Sequence, residues 1–161
     1  MCSSDLLDDG AIDPHWSIIA APPKAATAAA YVTKPGFPRD APWVPNTSAS
    51  LWISPQADEH IGDPVGSYVY RTSFDLKGFD PASVRIQLKV AVDNQLTDLR
   101  LNGRSLQLKA IGFQVFTPLS ITSGFAPGVN TLEFVVYNEP GGALNPSGLR
   151  VELSGTGERG P

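Results

Sequence analysis

Apolar and polar residues alternate with period two in four segments of the chain. From Ser83 to Val92, the residues Val84, Ile86, Leu88, Val90 and Val92 share one face. Arg85, Gln87, Lys89 and Ala91 take the other. From Tyr68 to Leu76, one face carries Tyr68, Tyr70, Thr72, Phe74 and Leu76, opposite Val69, Arg71, Ser73 and Asp75. From Thr131 to Asn138, Leu132, Phe134 and Val136 face inward, with Val135 and Tyr137 outward. From Leu149 to Leu153, Leu149, Val151 and Leu153 face inward, with Arg150 and Glu152 outward. This alternation is the signature of strands with one buried and one solvated face. Weaker strands are expected at His15–Ala20, Ala30–Thr33, Leu51–Ser54, Asp98–Leu101, Ser105–Leu108 and Phe116–Ile121. Asn102-Gly103 is the best hairpin signal, because both residues accept the positive φ of a type I′ turn. Lys24 to Ala30 is the only stretch with helix-like composition, short enough to be a single turn or a loop. Eight or nine short strands, each half buried, predict an all-β fold, a two-sheet antiparallel sandwich.

Gly36 to Ser50 breaks the pattern. Pro38, Pro42 and Pro45 surround Trp43. That is too many missing donors for a central strand, so a long loop over one end of the sandwich is expected.

Composition narrows the function classes. The 161 residues carry a net charge of -4. Arg71, Arg85, Lys89, Arg100 and Arg150 are scattered singly on strands, as on a solvated face. A nucleic-acid partner needs a basic footprint, and none is visible. No apolar run is long enough for a membrane helix. Cys2 is the only cysteine, which excludes an intramolecular disulfide and a cysteine zinc site. One domain is expected over 11–157, between an N-terminal extension over 1–10, disordered or non-native, and a tail over 158–161. The opening Met1-Cys2-Ser3-Ser4-Asp5-Leu6 lacks the charged and apolar regions of an export signal. It reads as non-native sequence fused to a truncated gene, in which case a leader is missing.

Three motifs in the second half belong together: Asp98-Leu99-Arg100-Leu101-Asn102-Gly103, Phe116-Thr117-Pro118-Leu119-Ser120-Ile121, and Gly128-Val129-Asn130-Thr131-Leu132-Glu133-Phe134. The stretch from Tyr68 to Leu153 resembles the sugar-binding jelly-roll domain of many glycoside hydrolases. Asp13-Pro14-His15-Trp16, Trp52-Ile53, Tyr70-Arg71-Thr72-Ser73-Phe74, Asp93-Asn94, Ile121-Thr122-Ser123-Gly124-Phe125 and Gly148-Leu149-Arg150-Val151-Glu152 extend the likeness over nearly the whole chain. They are similar to domains of exported bacterial proteins that often carry a sorting tail of the PEP-CTERM kind. This chain ends at Pro161 without such a tail. The resemblance implies a galactose-binding-domain-like jelly roll and an extracellular or cell-surface protein. It names no ligand, because function belongs to a site and not to a fold.

Catalysis finds little support. The only histidines are His15 and His60, and there is no nucleophile elbow or metal-binding helix. Asp93 and Glu139 are the least implausible carboxylate pair for glycosidic chemistry. A glycan partner would use an aromatic platform with planar polar groups on loops. The candidates are Trp43 and Asn46 in the Pro-rich loop, Asp93 and Asn94 after a strong strand, and Asn138, Glu139 and Asn145 around Pro140–Leu144. Each has a structural alternative. Trp43 suits a lid, Asp93-Asn94 a turn, and Asn138 a buried backbone partner. Trp16 and Trp52 read as core. No cofactor is required. One structural Ca²⁺ is conceivable on Asp13 and Glu152, with Asp8 and Asp9 near, if the first and last strands pair. The leading expectation is a non-catalytic carbohydrate-binding module. The alternatives are a structural or adhesive domain that contacts a surface protein or itself, and an accessory domain or remnant of a glycoside hydrolase.

Overall fold

The computed structural model describes residues 7–25 and 28–160. The expectations for Met1–Leu6, including Cys2, and for part of Lys24–Ala30 lie outside these residues. In chain order the strands are β1 (Ile12–Ala20), β2 (Ala29–Val32), β3 (Ile53–Ser54), β4 (Gly66–Asp75), β5 (Arg85–Asp93), β6 (Gln95–Leu101), β7 (Arg104–Ser105), β8 (Ala110–Ile111), β9 (Thr117–Ile121), β10 (Val129–Asn138) and β11 (Gly148–Thr156). Two single 3-10 turns cover Glu59–Ile61 and Pro81–Ser83. Every pairing is antiparallel, and the order is β7-β6-β10-β4-β1-β2-β3-β11-β5-β9, with β8 also on β6.

This sheet curls over itself into two layers. The inward residues of both layers form one core, with Trp16, Tyr70, Leu99 and Phe134 from the front and Leu88, Val90, Leu149 and Val151 from the back. Each such side chain contributes about 1.5–3 kcal/mol relative to exposure, and period-two alternation on every long strand makes that possible. The hairpin between β6 and β7 forms at Asn102-Gly103, with φ of 53° and 77°. Asn102 also accepts from the Thr131 amide at 2.9 Å and donates to Asn130 Oδ1 at 2.8 Å. Asn130 is itself buried and donates to the Ala126 and Gly128 carbonyls at 2.8 and 2.9 Å. Two of the three motifs that carried the resemblance thus form one latch, structural in purpose.

Several expectations fail for one shared reason. The loop over 36–50 meets an end of the sandwich only at its start, where Gly36 and Phe37 lie against His60. From Trp43 to Ser50 it lies across the outer face of the back layer as a third layer, over β5 and β11. Trp43 and Trp52 pack there with ring centroids 4.2 Å apart, against the Ala91 methyl. Ala91 and Arg150 were expected to face solvent, yet Arg150 is 1% exposed. Its guanidinium donates to Ser50 Oγ at 2.8 Å, Thr47 Oγ1 at 3.1 Å and the Val44 carbonyl at 3.2 Å, and also to the Pro45 carbonyl. Gly148 makes room for this layer, since a Cβ there would sit 2.5 Å from the Trp43 ring. Trp52 is buried as expected, but in this outer cluster rather than the main core. On the front layer, outward Val135 is also buried and Tyr137 half-buried. The strand expected at Ser105–Leu108 stops at Ser105, and Gln107 takes a φ of 57°.

The first and last strands do not pair, because β2 and β3 lie between β1 and β11. Asp13 and Glu152 are therefore not a metal pair. Asp13 is buried and accepts from the His15 amide at 2.9 Å. Glu152 is engaged by Lys89 at 3.4 Å and Arg150 at 3.7 Å. Asp9 is instead ion-paired with Arg39. No group of three or more metal-ligating side chains occurs among the described residues.

Candidate functional site

Antiparallel register brings five strand ends to one end of the sandwich. Gly148 pairs with Asp93, Gly66 with Asn138, and Gln95 with Tyr137. The loops over 55–65 and 139–147 close this end. Most of the residues singled out from sequence meet here. Asn94 Oδ1 accepts from the Glu139 amide at 2.8 Å. Asn138 donates to the Asp63 and Pro64 carbonyls at 3.1 and 3.3 Å. Asn145 donates to the Glu139 and Asp63 carbonyls at 3.1 and 3.3 Å. Gln95 donates to the Glu139 carboxylate. Asn46 stands apart, because its Oδ1 accepts from the Trp52 amide within the outer loop layer.

Convergence does not make all of them available to a ligand. Trp43 is 2% exposed, so it is no platform for a sugar. Its indole N–H donates to Asp93 Oδ2 at 2.8 Å. Asp93 is buried too, and burial pushes its carboxyl up to about 6, against the pull of the Trp43 hydrogen bond and with help from Glu139 and Asp63. Spent in this way, Asp93 does not present a carboxylate to a glycosidic bond, and the Asp93–Glu139 catalytic pair is set aside. Asn138 is fully buried and serves backbone carbonyls, as its inward phase suggests. The half-buried residues Asn94, Gln95, Glu139 and Asn145 remain on the surface of this end.

Three features here have no counterpart in the sequence reading. Beneath the loops lie two carboxyls, Glu59 and Asp63, of which Glu59 is 3% exposed. Burial raises both, Glu59 well above the usual range and Asp63 to about 6, and their mutual repulsion adds to the shift of Glu59. The Tyr70 hydroxyl is buried without a partner, and burial beside these acids pushes it well up. The third is Phe37. It is 42% exposed, and its ring meets the His60 ring edge-on, with centroids 6.3 Å apart. Ile61, 71% exposed, and Leu144 stand nearby, because Gly62 packs against Ala143 and Asn145. A strip thus runs from Phe37 through His60 and Ile61 to Asn145, Glu139 and Gln95. It offers one aromatic face, aliphatic edges and planar polar groups. The opposite end of the sandwich holds a cleft of about 200 Å³ lined by Phe74, Leu76, Phe79, Val84, Ile86 and Leu153. That cleft is almost wholly apolar and has few groups to meet hydroxyls.

No protein-family model matches the chain, and no curated protein matches it. Solved structures do. TmCBM61, determined in complex with beta-1,4-galactotriose, matches with a TM-score of 0.53 at 13% identity, over 92% of each chain. The fold is the galactose-binding-like jelly roll. Two family 35 carbohydrate-binding modules also align. That of Paenibacillus barcinonensis covers 88% of this chain and 93% of its own, at 12% identity and a TM-score of 0.46. That of Clostridium thermocellum covers 76% and 86%, at 13% identity and a TM-score of 0.37. In this jelly roll the polar junction is the end where β5 hands over to β6 and β10 to β11.

Proposed function

We propose that the chain is a non-catalytic carbohydrate-binding module of an exported bacterial protein, and that glycan docks on the strip at the loop end. The observation that carries this reading is the strip itself, on a jelly roll similar to that of a module solved with a galactose oligosaccharide. The exposed Phe37 face supplies the C–H stacking surface, and Asn145, Glu139, Asn94 and Gln95 supply planar donors and acceptors for vicinal hydroxyls. The buried state of Asp93 supports the non-catalytic reading, since a hydrolase needs two accessible carboxyl groups. The test is retention on a panel of insoluble polysaccharides and a glycan array. The wild-type chain is expected to bind at least one glycan, and Phe37→Ala to lose that binding with an unchanged melting temperature. Absence of binding to every glycan overturns the reading.

A second reading rests on Ile61, Leu144 and Ile111, all exposed around the same end. Ile111 reaches it because β8 pairs with Gln95. Such aliphatics suit a protein contact. A domain that binds no glycan but self-associates as concentration rises, and stops doing so in Ile61→Asp, fits this reading instead.

A further inference from the structure

The Glu59 and Asp63 carboxyls lie directly beneath the proposed strip, which meets the pair only through the backbone of Asp63, bonded to Asn145. The 3-10 turn over Glu59–Ile61 brings carboxyls four positions apart to the same point. The amide of Ser147 forks between them, at 3.1 Å from Glu59 Oε2 and 3.2 Å from Asp63 Oδ2. Gln56 donates to Asp63 Oδ1 at 3.1 Å. The Ser147 hydroxyl donates to the Asp93 carbonyl at 3.3 Å, so one residue ties the loop over 139–147 to both the pair and β5. Glu59 Oε1 is buried without a partner.

The surroundings supply no positive charge. From β4 the phenols of Tyr68 and Tyr70 face the pair, and from β5 Asp93, which Glu139 beyond the end of β10 faces in turn. On the pair's own loop, the exposed His60 ring is engaged by Asp58 at 3.2 Å. Among the described residues no Lys, Arg or His forms an ion pair with Glu59 or Asp63. Two buried carboxylates in contact, with no cation, cannot both ionise at low cost.

We propose that Glu59 and Asp63 share a proton that holds Ser147, and through it the loop over 139–147, in its binding arrangement, so that the loop end is ordered in mildly acidic solution and loosens as the pH rises. That the ordered loop serves a glycan rests on the carbohydrate-binding reading; the proton-held loop does not. The sign follows from linkage. Both groups bind protons more tightly in the closed state than in the opened one. Closure is therefore favoured fully below the ordinary carboxyl range and is lost as pH rises through about 6 and beyond.

Amide hydrogen exchange at Ser147 in the intact chain, without glycan, tests this from pH 5 to 8 after correction for intrinsic exchange. Opening should increase by up to about tenfold per pH unit. Glu59→Gln, which keeps a neutral hydrogen-bonding group, should flatten the dependence, and so should Asp63→Asn. Asp93→Asn should leave it in place, which separates the pair from the other raised carboxyl. In the wild-type chain, carboxyl carbon shifts of Glu59 and Asp63 should titrate in two coupled steps, both above the ordinary carboxyl range. Ordinary carboxyl titration in those shifts, or an unchanged slope in both pair variants, overturns the proposal. So does Ca²⁺ restoring Ser147 protection at pH 8 with reversal by chelator, since the pair would then hold a cation and not a proton. Loss of glycan binding as a finding leaves this result untouched, so the two readings fail separately.

Discussion

Arg150, on the outer face of the back layer, and the Glu59–Asp63 pair, at the loop end, set the same physical problem, and the chain solves it in two ways. Each is a buried charged group beneath a long loop. Arg150 meets two hydroxyls, the carbonyls of Val44 and Pro45, and Glu152 at 3.7 Å, with the Phe116 ring 5.0 Å from its guanidinium carbon. Burial pulls its pKa down, Glu152 pulls it up, and the guanidinium keeps its proton. The acid pair meets one backbone amide and few side-chain donors, and one of its oxygens meets nothing. Its solution is to hold a proton. Whether a buried group stays charged is decided by the number of opposite or donating partners, since desolvation alone costs several kcal/mol per ion.

The comparison breaks most visibly at Arg150. Arg150→Ala strands the Val44 and Pro45 carbonyls and frees the outer loop layer. It should cost about 3–5 kcal/mol in urea unfolding, equally at pH 5 and pH 8. Arg150→Lys should recover little, because one ammonium cannot span acceptors that a planar fork reaches together. Full rescue by Lys would mean that charge alone matters there.

The acid pair should show the opposite signature, a dependence on pH. Asp63 and Asp93 both sit at about 6 in the fold, above the ordinary value of 3.8. Their contribution is present at low pH and lost as pH rises through 6. Unfolding free energy should fall from pH 5 to pH 8 by up to about 1.4 kcal/mol for each of these two groups, a ceiling that assumes no relaxation. Glu59→Gln should be more stable than wild type at pH 8 and no more stable at pH 5. A domain whose stability rises from pH 5 to pH 8 contradicts the proton-held pair.

Gly148 sharpens the Arg150 side of the contrast. Adding one methyl drives a Cβ into the Trp43 ring, which is backed by Trp52. Gly148→Ala should cost about 1–3 kcal/mol, with a red shift in tryptophan emission as the loop layer lifts. An unshifted spectrum would show that the layer yields without opening.

How much of this was legible in the sequence depends on how local each signal is. Alternation in Ser83–Val92 and Tyr68–Leu76 reports burial of neighbouring residues in one strand, and β5 and β4 follow it. Asn102-Gly103 reports a turn that needs only its own two φ angles, and it forms. Arg150 alternates outward correctly, yet solvent is absent because a loop from a hundred positions away covers it. Period two names the face a residue takes and not what lies beyond that face. The same limit misplaced Trp43. Its proline-rich surroundings exclude a strand and are silent on which of two aromatic residues in the loop turns inward. The acid pair was hidden for the converse reason. Asp58-Glu59-His60 in a loop has the composition of a solvated turn, and only the tertiary closure of Ser147 over it removes the water. The metal pair of Asp13 and Glu152 depended on strand neighbours, which sequence order does not determine.

The smallest stability effect should carry the largest functional one. Phe37 and Trp43 come from one loop, six positions apart, one exposed and one buried. Phe37→Ala removes a ring that is 42% exposed, so stability should change by only about 0.5 kcal/mol. Trp43→Phe keeps a ring against Trp52 but removes the donor to Asp93, and should cost about 1–3 kcal/mol for the unsatisfied carboxyl. If the strip binds glycan, retention on polysaccharide is lost in Phe37→Ala and kept in Trp43→Phe at temperatures where both are folded. The reverse pattern would move the platform from the loop end to the outer layer. The exposed ring would then be an incidental surface aromatic, and the buried one would have to open in order to bind.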